Sequence, residues 1–99
     1  MYLNIYRFLF SDRPETPILT ANDSSPTDGD SIVLTCTTST AGITSYEFRY
    51  NGQVLETSEN NTYVINSAII DSHDGNYTCT AFIDIVPSNT SSVLVVECE

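Results

Sequence analysis

Apolar side chains along this chain recur at every second position in short runs, and at no point keep helical spacing across a window of about 11 residues. That pattern predicts strands separated by turns. Between residues 31 and 37, Ile32, Leu34 and Cys36 alternate with Ser31, Val33, Thr35 and Thr37, so a strand there turns Cys36 inward. Tyr46, Phe48 and Tyr50 alternate with Glu47 and Arg49, and Asn51-Gly52 supplies the positive-φ residues of a tight hairpin leading to Val54-Leu55. A polar loop over 56–61 precedes a strand begun by Tyr63 and Ile65. A long strand is predicted over 76–85, with Tyr77, Cys79, Ala81, Ile83 and Ile85 on one face and Cys79 therefore inward. Residues 92–97 form the last strand, after a Pro87-Ser88-Asn89-Thr90 loop, and residues 17–21 the first, ended by the turn-rich run 22–30. The expectation is an all-β chain of about seven strands.

Composition narrows the class. A chain of 99 residues holds one two-layer core, and with 40% hydrophobic against 16% charged residues it can bury one. Residues 1–15 are read as an N-terminal extension or linker and 16–99 as the domain. The opening run from Met1 to Phe10 is interrupted by Asn4 and Arg7 and is too short to span a bilayer, so any membrane attachment is assigned to segments outside this chain. A truncated signal sequence, the end of a preceding element and an accident of where the chain was cut all remain open for it. Thirteen acidic residues face three arginines and no lysine, a net charge of −10, the wrong sign for a phosphate backbone. Nucleic acid is excluded as a partner on that ground, and the acidity itself reads as a solvated surface.

Three cysteines and one histidine are too few and too widely spaced for a Cys-x-x-Cys zinc site, so a structural disulfide is the better use of them. Four Asn-x-Ser/Thr sequons begin at Asn22, Asn60, Asn76 and Asn89. With a disulfide they place the chain outside the cytosol, at the cell surface or secreted.

Leu34-Thr35-Cys36 is followed by Asp74-Gly75-Asn76-Tyr77-Thr78-Cys79, and in this the chain resembles the immunoglobulin superfamily, in its short I-type or C2-type form. The resemblance covers residues 17–96 and implies an immunoglobulin-like β-sandwich of two antiparallel sheets closed by a Cys36–Cys79 disulfide. It makes Leu34, Phe48 and Tyr77 core residues, with Tyr77 forming a tyrosine corner that anchors the turn 71–75. The chain has no Trp, and Phe48 stands where the family places that residue against the disulfide. His73 occupies the family's Asp position, so the Arg–Asp bridge of variable-type domains is not expected.

Other chemistry is weaker. His73 with Asp71, Ser72 and Asp74 does not make a hydrolase triad, because sequence neighbours rarely converge on one reacting atom. Asp28-Gly29-Asp30 and Asp71 to Asp74 are turn residues before they are calcium ligands, as neither run has the full EF-hand sequence. No catalytic site, metal, cofactor or small-molecule substrate is expected. A face built from Glu47, Arg49, Asn51 and outward Phe82 and Val86 is either a contact sheet or merely solvated, and a glycan on Asn76 would block close approach to one sheet face. Cys98 has no evident partner within the domain. A bridge to another chain, a bond to an absent segment and a free thiol are open, with a partner outside these residues preferred. The family resemblance implies an extracellular recognition module of an adhesion or immune-type receptor that binds a protein partner, with another immunoglobulin-like domain or a second copy among the candidates, through loops at the sandwich ends or an exposed sheet face. The competing reading is a spacer in a tandem array with no ligand of its own.

Overall fold

A computed structural model describes residues 14–27, 29–67 and 73–97. Within them the chain forms eight strands: β1 (Ile18–Ala21), β2 (Ile32–Thr37), β3 (Ser45–Tyr50), β4 (Gln53–Ser58), β5 (Thr62–Ile65), β6 (Gly75–Ile83), β7 (Val86–Pro87) and β8 (Leu94–Val96). They build two antiparallel sheets. One has the order β1-β2-β5; the other runs β4-β3-β6, with β7 and β8 both pairing with β6. Most of the linker region, Asp28, Asp71, Ser72 and Cys98 lie outside the described residues.

The period-two pattern translates directly into packing. Ile32, Leu34 and Cys36 of β2 are fully buried, and Leu19 of β1 and Ile65 of β5 close the same inner face. Opposite them, Phe48 of β3, Tyr77, Cys79 and Ala81 of β6 and Val96 of β8 are buried on the second sheet. The Cys36–Cys79 disulfide joins the two inner faces with a Cα–Cα separation of 6.2 Å. Asn51 (φ 49°) and Gly52 (φ 86°) both take left-handed backbone, as a type I′ hairpin requires, and β3 and β4 follow in register Tyr50↔Gln53.

Several expectations need correction. The segment 56–61 is not all loop: β4 runs on to Ser58 as an edge strand, with an extra residue, Leu55, bulged between Glu56 and Val54. All its residues up to Thr57 are exposed, so no alternation marked it in the sequence. The long strand over 76–85 ends at Ile83. Asp84 (φ 56°) turns the chain into a two-residue hairpin, β7 pairs back through Ile83↔Val86, and Ile85 is 90% exposed instead of inward.

The predicted last strand is also shorter, beginning at Leu94. The preceding segment still follows β6, because Ser88 and Ser91 are buried and substitute hydroxyls for ladder carbonyls. The Ala81 N–H donates to Ser88 Oγ at 3.0 Å and the Cys79 N–H to Ser91 Oγ at 2.9 Å, while Ser88 N and Ser91 N donate to the carbonyls of Ala81 and Cys79. Buried backbone donors beside the disulfide are thereby satisfied where the chain departs from strand geometry.

Candidate interaction surfaces

His73 and Asp74, just before β6, are held by two tyrosines. Tyr77 Oη donates to the His73 carbonyl at 2.7 Å, the tyrosine-corner bond. Tyr50 Oη, which the sequence reading did not single out, donates to the next carbonyl, Asp74, at 2.6 Å, and the two rings lie 5.0 Å apart. Gly75 completes the arrangement: a Cβ there would stand 2.8 Å from the Tyr50 ring and 2.9 Å from Asn51 Oδ1. His73 thus serves this arrangement through its backbone. Among the described residues no group of three or more His, Cys, Asp or Glu side chains is gathered to hold a metal. Asp30 accepts from Thr27 Oγ1 at 2.7 Å and Thr27 N at 3.0 Å, bonds that hold its exposed carboxyl below the usual carboxylate range, with the hydroxyl the larger cause.

The outer face of the five-stranded sheet carries Glu47 and Arg49 of β3, whose side chains form an ion pair with Nε–Oε1 2.8 Å. Beside them stand Thr78 and Thr80 of β6, and further along β6 Asn76 lies opposite Val95 of β8. Phe82 is half-buried beside Pro87. Val86 is not on this face, because the hairpin register sets it opposite Ile83 and therefore on the other side from Phe82. Asn51 also leaves it: its Oδ1 accepts from Asn76 N at 2.9 Å at the hairpin end of the sheet.

At the opposite end of the sandwich, the loop 38–44 and the 84–85 hairpin are fastened together by Thr44. Its amide and hydroxyl both donate to the Phe82 carbonyl, at 2.8 and 3.2 Å, and the same hydroxyl oxygen accepts from the Asp84 amide at 2.7 Å. The loop is tied on its other side to Glu15, through Thr40 Oγ1 and Thr38 Oγ1. Ile85 stands on a turn whose backbone is fixed in advance. Sequence reading missed this because Ile85 continues the inward alternation of Ile83. The four sequon asparagines, Asn22, Asn60, Asn76 and Asn89, are all exposed, and Asn76 is the one set in a strand.

The family model described as immunoglobulin domain matches residues 16–96, nearly the whole of the described region. The chain belongs to the immunoglobulin superfamily. Among solved structures, murine CEACAM1b superposes with a TM-score of 0.75 at 18% identity, over 88% of this chain and 46% of that one. A chain in the crystal structure of a mouse coronavirus receptor-binding domain complexed with its murine receptor gives a TM-score of 0.74 at 18% identity, with the same coverage of each chain. This immunoglobulin domain spans about half the length of those chains, and at that identity the likeness speaks for the fold. No curated protein sequence matches it. Members of this superfamily are typically non-enzymatic, and the disulfide, the tyrosine corner and the two sheets described above are the family's own architecture.

Proposed function

We propose that this domain is an extracellular recognition module that binds a protein partner through the end of the sandwich where the 84–85 hairpin meets loop 38–44. The observation that carries the reading is Ile85, 90% exposed on a turn already locked by Thr44. Scattered single apolar residues on a surface need no explanation. An apolar side chain on a pre-organised turn differs, because docking it costs little further ordering of the loop. The exposed sequons and the inter-sheet disulfide support the extracellular placement. One of the structural neighbours is a receptor bound to a viral domain, which supports protein binding as a use of this architecture. A spacer role is favoured by one observation: the other exposed apolar side chains are dispersed, with Ile18, Val54, Leu55, Val64 and Val95 spread over both sheets and Val93 in the segment before β8.

The test is to display the secreted domain as a multimer, screen it against cell-surface and secreted proteins, and repeat the positive pairs with variants. Ile85→Asp is expected to weaken binding at least about tenfold, while Val64→Asp on the other sheet leaves it unchanged. Binding that survives Ile85→Asp would remove the hairpin from the contact, and a screen without any partner would favour the spacer.

A further inference from the structure

Three features of Asn76 bear on its sequon. It lies within β6, whereas Asn22, Asn60 and Asn89 lie between strands. Its backbone is pinned at both ends by Asn51: its amide donates to Asn51 Oδ1 at 2.9 Å and its carbonyl accepts from Asn51 N at 2.8 Å. Its cross-strand partner on the outer face is Val95, an exposed valine on an edge strand. Directly opposed side chains in an antiparallel pair have Cβ atoms about 5 Å apart, the width of one pyranose ring.

We propose that Asn76 carries an N-linked glycan whose first N-acetylglucosamine lies on Val95 and acts as a structural cover for this part of the five-stranded sheet. The proposal rests on the extracellular reading above. Attachment is a group transfer from a lipid-pyrophosphate-linked oligosaccharide: Asn76 Nδ2 forms a bond to the sugar's anomeric carbon, the bond from that carbon to the pyrophosphate oxygen breaks, the lipid pyrophosphate leaves, and the amide loses one proton to base. Thr78 supplies the hydroxyl of the sequon. The sugar suits this occupant's place because its ring and N-acetyl methyl present apolar surface toward Val95 while its hydroxyls face water, and because it adds no charge to a chain already at −10. A side chain fixed at its root loses little further freedom when its substituent settles on a neighbour. The face around Asn76, Thr78 and Val95 is then closed to a protein partner, and contact is directed elsewhere on the domain.

The experiment uses the domain secreted from cells that make only high-mannose glycans, trimmed enzymatically to one N-acetylglucosamine per site. Site occupancy is read by peptide mass spectrometry and thermal midpoints are measured. Wild type is expected to melt about 4 °C above Asn76→Gln, an amount in keeping with partial cover of one apolar side chain in a domain of this size. Thr78→Ala, which removes the same sugar and keeps Asn76, should reproduce the loss. In a Val95→Thr background the difference between the presence and absence of that sugar should vanish. Asn76 found bare while other sequons are occupied overturns the proposal and leaves the extracellular reading standing; no sugar at any sequon overturns both. An equal midpoint with and without the Asn76 sugar, or a difference that persists unchanged with Val95→Thr, also overturns the cover.

Discussion

Replacing Cys36 and Cys79 together by alanine is expected to cost about 4 kcal/mol of folding stability. The two residues are 43 apart in sequence, and in the chain-entropy model tying a loop of that length removes about that much from the unfolded ensemble. A domain of this size has a net stability of about 5–15 kcal/mol, so the loss is a large fraction of the whole. The bond also lies where the inner faces meet, with both cysteines fully buried, so its removal leaves a gap between β2 and β6 as well as a longer unfolded chain. Denaturant titration reads this directly. The double variant and the reduced wild type should share a lowered midpoint, and the oxidised wild type should stand well above both. A variant that unfolds within about 1 kcal/mol of wild type would show that the sheets hold together without the bridge.

The second large effect is Phe48→Ala, expected at about 3–5 kcal/mol. Phe48 is 1% exposed, faces Cys79 across the β3–β6 ladder, and its ring centroid lies 5.8 Å from that of Tyr63 on the opposite sheet. It thus fills the space between the disulfide and the three-stranded sheet, the place that the immunoglobulin family gives to Trp. Truncation to alanine opens a cavity that two hydrogen-bonded sheets cannot collapse around, whereas Phe48→Leu retains most of the volume and should cost much less. Because Phe48 and Cys79 are neighbours, the two losses should not add. A cycle combining Phe48→Ala with the cysteine pair is expected to show coupling of about 0.5–3 kcal/mol, and strict additivity would mean that ring and bridge stabilise separate parts of the core.

Where one face of a strand is buried, the sequence announced it. Ile32, Leu34 and Cys36 alternate cleanly because one side of β2 meets the core and the other does not. The Asn51-Gly52 turn was legible because few residue pairs tolerate two consecutive left-handed conformations. β4 was only partly legible, since an exposed edge strand has no period to display. The 84–85 hairpin was hidden by the opposite problem: apolar alternation runs through Ile83 to Ile85 without a break, and Asp84 takes the positive φ that a glycine would have advertised. Ser88 and Ser91 looked like loop residues because a serine that replaces a backbone carbonyl has the same composition as one facing water. For the candidate surface, the residues Glu47, Arg49 and Phe82 were placed together correctly, while the role of Thr44 depends on a contact 40 residues away that no local pattern encodes.

The most direct test of the central claim, a disulfide-closed immunoglobulin domain that lives outside the cytosol, is the mass of the chain secreted from a eukaryotic cell. It would be measured with and without glycosidase and then by non-reducing peptide mapping. The account predicts a Cys36–Cys79 linked peptide pair and a mass that falls on deglycosylation. Free thiols at both positions together with an unmodified mass would contradict it.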